Sequence, residues 1–289
     1  MDKADIKETR RVLRIVQAHI ADAHLRLGTE QESAGFVEVM THPKSELPHL
    51  NYVTPRKNTA WIPAPEVQKG MEILRANNRP VRVNYIEGLF PPIFAKSLHQ
   101  LGLVAASEDA IMVYKFEPDT MPELTPTPDS ISVKQVADQE GIGIWWYVWS
   151  NAFFDVLTTG VEPIKLGHEF AKITEGHQVD LLLYRQSFPI GAARLTFHEK
   201  SAHLTTLAIM KESHTPALVK ALYNAALRTA AKRGCELLFT CGDGEDERRF
   251  CRELGFVDSG SMVSYTEPDD SAKKDETGDN VAQLVFALR

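Results

Sequence analysis

Apolar residues recur at helical spacing through Ile6, Leu13, Val16, Ile20 and Leu27, and Gly28 follows as a terminator, which predicts a first helix. Phe36 to Thr41 alternates as a strand does, and Leu50 to Val53 and Trp61-Ile62 follow in turn-rich sequence. Val67, Met71, Ile73 and Leu74 predict a helix ending at Asn77-Asn78, ahead of Pro80. Val81 to Ile86 reads as a strand, and Pro91-Pro92 opens a helix through Ile93, Phe94, Leu98 and Leu101. Asn51 and Trp61 read as a strand-end Asn and an aromatic core residue.

The second half has a different rhythm. Ile131 to Val136 is a short strand, Asp138 opens an aromatic helix reaching Leu157, and Ile164 to Ile173 is a further helix. Leu181 to Tyr184, Ile190 to Phe197 and Leu204 to Ile209 are three strands with hairpin-length joins, an antiparallel meander. A helix from Thr215-Pro216 to Gly234 presents Leu218, Leu222, Ala225, Ala226 and Thr229 on one face. Leu237 to Thr240 is a buried strand, a helix follows Gly242 to Glu247, and Val281 to Leu288 is a last strand after the acidic loop Glu267 to Asn280.

One motif occurs twice, about a domain length apart. Leu98-His99-Gln100-Leu101-Gly102-Leu103-Val104 runs into Ile111 to Tyr114, and Phe250 to Val257 with Leu254-Gly255-Phe256 runs into Ser261 to Tyr265. Each copy reads as a helix end, a Gly cap and then a strand or hairpin closing a sheet. Between the copies, Pro118, Pro122, Pro126 and Pro128 disfavour both helix and central strand. The expected division is a domain over 1–118, a Pro-rich linker over 119–129 and a second domain over 130–289.

Composition narrows the functions. No run approaches the roughly 18 apolar residues of a membrane-spanning helix, and the charged start is not a signal sequence, so a cytoplasmic chain with no membrane partner is expected. The three cysteines, Cys235, Cys241 and Cys251, have no metal or redox spacing and read as reduced thiols. The net charge of −7 falls entirely after Pro122, and no basic run suits nucleic acid. Phosphate-loop, zinc-hydrolase and serine-hydrolase motifs are absent, and no metal is expected.

The element order over Ser130 to Arg289, together with Leu207-Ala208-Ile209 before one helix and Leu254-Gly255-Phe256 after another, resembles the GNAT superfamily of acyl-CoA N-acyltransferases. The first domain looks like a diverged relative, clearest over Val81 to Phe116. The implied fold class is α/β (α+β): two tandem GNAT-like domains, each a mixed, mainly antiparallel sheet flanked by helices.

The resemblance implies acetyl-CoA or another acyl-CoA as cosubstrate and a small-molecule or peptide amine as acceptor. Carried over by position, Leu207, Ala208, Ile209 and Met210 would hold pantetheine through backbone groups. His214, Thr215, Pro216, Ala217, Leu218 and Val219 would form the diphosphate turn. The family usually has Arg or Gln, Gly, and Gly or Ala where His214, Ala217 and Val219 stand, and Tyr where Cys251 stands.

His203 is the candidate base and Cys251 the candidate acid, against a surface or cross-strand histidine and a small buried residue. Trp145 and Trp149 share a helix face and would line the acceptor pocket, or pack in the core. The alternative function is a non-catalytic GNAT-derived binding or scaffold module, and homodimerisation stays open.

Overall fold

In the computed structural model of the 289-residue chain, residues 3–57, 59, 61–117, 130–154, 161–242 and 244–268 are described. The first half runs α1 (Lys3–Arg26), β1 (Glu30–Ala34), β2 (Val37–Thr41), β3 (Tyr52–Pro55), α2 (Ala64–Ala76), β4 (Arg82–Ile86), α3 (Ile93–Gln100) and β5 (Val104–Lys115). The second runs β6 (Ile131–Gln135), α4 (Gln139–Phe154), α5 (Pro163–Thr174), β7 (Gln178–Arg185), β8 (Phe188–His198) and β9 (Ser201–Ile209). It ends with α6 (Pro216–Lys232), β10 (Leu237–Gly242), α7 (Glu245–Glu253) and β11 (Val257–Thr266). The expected linker 119–129, the last turn expected of the aromatic helix and the last strand lie outside the described residues.

Two compact units emerge, and they do not follow chain order at their ends. Among the described residues, one gathers those up to Met112 with those from Cys241 onward, the other those from Val113 to Thr240. In the first, strands lie in the order β1-β2-β3-β4-β11-β5, so β11 from the end of the chain enters beside β4. That pairing is antiparallel, from Met262 opposite Ile86 to Thr266 opposite Arg82. Val39, Val53, Val83, Leu74, Leu98 and Tyr265 belong to its core.

The duplicated motif has a local physical cause, visible in both copies inside this unit. Gly102 (φ 80°) ends α3 and Gly255 (φ 87°) ends α7, in the left-handed region that glycine tolerates. Leu103 N donates to Leu98 O at 3.1 Å, and Phe256 N donates to Cys251 O at 3.0 Å, which satisfies the last-turn carbonyls. Cys251 therefore stands where Leu98 stands in the first copy.

Two expectations for the first half change. Trp61 is 60% exposed, and the core place goes to Ile62 at 2%. The chain enters α2 extended through Pro63 (ψ 148°), and in extended backbone neighbouring side chains point opposite ways. β1 has no apolar alternation because it is an edge strand whose residues are mostly exposed. Asn51 is a strand-end residue: it accepts from His42 N at 2.9 Å and donates to the carbonyls of Ser45 and Leu47.

In the second unit the strand order is β10-β9-β8-β7-β6, with the meander antiparallel and β9–β10 parallel. Leu182, Ala192 and Ala208 point to one face and meet the tryptophans of α4. The opposite face carries α6. A Cβ at Gly191 would come within 3.2 Å of Leu222 Cδ1 and 3.3 Å of Ala208 O, so this glycine lets α6 seat closely on β8 and β9. Leu222 is fully buried there, a contribution of about 1.5–3 kcal/mol.

Candidate functional site

The parallel ladder between β9 and β10 is short. It joins Leu237 to Ser201, Leu238 to Ala202 and Phe239 to His203, and then stops while β9 continues to Ile209. At the next level a side chain replaces the backbone, as Thr240 Oγ1 donates to Leu204 O at 3.2 Å. On its other edge β9 stays paired with β8, but Arg194 faces Thr206 while Leu195 faces Leu204, which leaves Thr205 as a bulge. A bulge bends and twists its strand, and this one lies where β9 parts from β10. The sequence signal is the pair Thr205-Thr206, which breaks the alternation of the strand.

Beyond β9 the chain makes one 3-10 turn, Lys211–Ser213, and enters α6 at Pro216. Met210 N donates to Ile190 O, and His214 N donates to Lys211 O at 3.3 Å. Leu218 N and Val219 N both donate to Thr215 O at 3.1 Å, and Pro216 has no N–H. Among the described residues no group accepts from the amides of Thr215 and Ala217, and Thr215 makes no side-chain cap. The first turn of α6 has no acidic residue. An exposed helix start with positive dipole and two open donors can accept an anion.

Register places His203 in a row across the sheet with Thr196, Gln178 and Phe239. Its ring stacks on Phe239 with centroids 4.2 Å apart and planes at 9°. The next row is Asp180, Arg194 and Thr206. Directly opposed residues share a face, so both rows lie beneath α4 and α5, on the face that carries Ala208.

The charged part of these rows went unread in the sequence. Arg194 forks onto the fully buried Asp180, with Nε to Oδ1 at 2.8 Å and Nη2 to Oδ2 at 2.7 Å, and its Nη1 reaches Glu169 Oε2 at 2.9 Å. Lys172 Nζ meets Glu169 Oε1 at 2.9 Å, and Gln178 Nε2 donates to both carboxylates. Burial disfavours the Glu169 carboxylate, yet the charges of Arg194 and Lys172 outweigh it and hold its pKa down at about 2. Burial also opposes the Arg194 cation, and Asp180 and Glu169 overcome it, raising its pKa. The only sequence signal was polar residues alternating with apolar ones, as in Gln178-Val179-Asp180 and Arg194-Leu195-Thr196.

The aromatic helix covers this network. The Arg194 guanidinium lies 4.1 Å from the Trp145 ring centroid, and Trp145 Nε1 donates to Ala193 O at 3.0 Å. Lys165 Nζ sits 3.8 Å from the Trp146 ring centroid, and burial lowers its pKa. Trp149 is buried against Trp146, Phe153 and Phe154. The Nε1 atoms of Trp146 and Trp149 are enclosed without a hydrogen-bond partner among the described residues.

His203, Leu207–Met210, the turn His214–Val219, Trp145 and Trp149 thus share the second unit, whereas Cys251 belongs to the first. Cys251 is fully buried in α7. Among the described residues no three His, Cys, Asp or Glu side chains cluster so as to hold a metal, and no helix is long and apolar enough to cross a membrane.

No family model matches the sequence, and no curated protein matches it. Solved structures do match the fold. A GCN5-related N-acetyltransferase from Kribbella flavida is 15% identical with a TM-score of 0.68, covering 92% of this chain and 98% of its own. One from Sphaerobacter thermophilus is 11% identical with a TM-score of 0.59, covering 90% and 92%. A tandem GNAT protein from the clavulanic acid biosynthesis pathway is 12% identical with a TM-score of 0.53, covering 84% and 85%. With its mixed sheet, parted parallel strands and helix start at the opening, the chain carries the fold of the GCN5-related N-acetyltransferases.

Proposed function

We propose that the protein is an acyl-CoA-dependent N-acyltransferase of two tandem GNAT-like domains, with acetyl-CoA as the first donor to test and a small-molecule or peptide amine as acceptor. The observation that carries this reading is the parting of β9 from β10 after His203, with the bulge at Thr205 and the start of α6 beyond it. Leu207 to Met210 would bond the amides of pantetheine, and the free amides of Thr215 and Ala217 would meet the diphosphate.

The chemistry asks little of side chains. A neutral amine attacks the thioester carbonyl, the C–N bond forms as the C–S bond breaks, and CoA leaves as thiolate that takes up a proton. In this proposal His203, facing α4 and α5 on the strand that opens, takes the proton from the amine. Trp145, fully buried with its Nε1 on Ala193 O, and Trp149, buried beside it, are assigned to packing in the core and not to the acceptor pocket. Cys251 is assigned to packing, since it holds the place of Leu98 in the repeated helix end.

A second reading is a binding module that does not catalyse. It is favoured by the thin diphosphate turn, where Pro216 lacks an N–H and Val219 puts a branched side chain near the helix start. Calorimetry with acetyl-CoA, followed by transfer to a panel of amines, separates the two. Binding with turnover supports the transferase, binding without turnover supports the module, and no heat at millimolar acetyl-CoA removes both cofactor assignments. Val219→Gly is expected to tighten binding.

A further inference from the structure

A second concavity lies on the other face of the same sheet. α6 covers β8 and β9, and at its flank beside β6 and β7 it leaves a cavity of about 480 Å3, within the size range of small-ligand sites. Its floor is apolar, from Ile131, Val133 and Leu181. These side chains alternate with Lys134, Asp180 and Leu182, so they point away from the Arg194 network and the sheet separates the two places.

The wall of this cavity is cationic. Arg228 and Lys232 stand one turn apart on α6, an i,i+4 pair of like charges that repel unless an anion lies between them. Arg233 is fixed beside them: its Nη1 donates to Gly176 O at 2.7 Å, and its guanidinium lies 4.3 Å from the Phe197 ring centroid. Ala221 and Ala225 keep the upper wall low, and no carboxylate lines the cavity among the described residues.

We propose that this cavity binds an amphipathic anion, a carboxylate head against Arg228 and Lys232 with a hydrocarbon chain along Ile131, Val133 and Leu181. The site is independent of the acyl-transfer reading, because Arg228 and Lys232 lie more than two helical turns along α6 from the proposed diphosphate turn at Thr215–Val219.

Calorimetry of the full chain with decanoate tests it, with decyltrimethylammonium and sulfate as comparison ligands. One decanoate per chain is expected, weakened about tenfold or more in Arg228→Glu/Lys232→Glu, with acetyl-CoA binding unchanged when decanoate is present. Arg228→Ala, an exposed change with little effect on folding, is expected to give a smaller loss in the same direction. The proposal is overturned by no decanoate heat at millimolar concentration, by equal affinity in the charge-reversed protein, by equal binding of the cationic ligand or of sulfate, or by competition with acetyl-CoA.

Discussion

The two units repeat one arrangement, a strand, a helix and a parallel strand, and treat its helix start in opposite ways. In the second unit β9, α6 and β10 leave the start of α6 exposed and free of acidic residues. In the first, β3, α2 and β4 pair in parallel at Val53 opposite Val83, and the first turn of α2 carries Glu66. The Glu66 carboxylate accepts from Phe36 N at 3.2 Å and pairs with Lys69. It fills the space over Gly35, where a Cβ would collide with it. A negative charge in the first turn of α2 disfavours an anion at that helix start. The same backbone plan thus carries a carboxylate in the first turn of one helix and none in the first turn of the other.

Breaking the charge network of the second unit is expected to have the largest effect. Arg194→Met leaves Asp180 and Glu169 buried without their main partner, and a loss of about 3–5 kcal/mol is expected in denaturant unfolding. A well-folded Arg194→Met protein within 1 kcal/mol of the parent would show that the network contributes little.

Acid should expose the same network. The folded pKa of Glu169 near 2 lies below its usual 4.5, so its contribution, about 3 kcal/mol, is complete above pH 4.5 and lost as pH falls through 2. Unfolding of Glu169→Gln followed across that window should show a flatter dependence on pH. An unchanged slope would contradict the assignment.

A smaller effect belongs to the repeated helix end. Cys251→Ser replaces a fully buried thiol with a hydroxyl, at a cost of about 1–3 kcal/mol in thermal unfolding, while transfer per folded molecule should stay the same. A large fall in rate without a change in stability would return Cys251 to the reaction. The smallest effect is expected from Glu66→Gln. Removing the charge from the first unit should leave acetyl-CoA stoichiometry at one, because Gly35, Phe36 and the side chain over them still fill the space.

What could be read in the sequence follows the range of the interactions. The ends of α3 and α7 were legible because a glycine and the bond that closes over it lie within six residues. Strands β7, β8 and β9 were legible from short apolar runs with hairpin-length joins, and α6 from Pro216 and Gly234 at its ends. β1 was missed because an exposed edge needs no apolar face. The place of β11 beside β4 was hidden since the pairing joins residues some 180 positions apart, as in Arg82 Nη1 donating to Ser264 Oγ. Arg194, Asp180 and Glu169 were hidden for the same reason, their partners being set by register between strands and by the packing of α5.

The central claim is that backbone amides at the start of α6, beside the opened strand β9, receive an acyl-CoA. Calorimetry of acetyl-CoA binding to the parent and to Ala217→Pro tests it directly, since proline is tolerated in a first helical turn and removes one N–H. One acetyl-CoA per chain is expected, with binding about tenfold or more weaker in the variant. Equal affinity in the two proteins, or no binding to either, would contradict it.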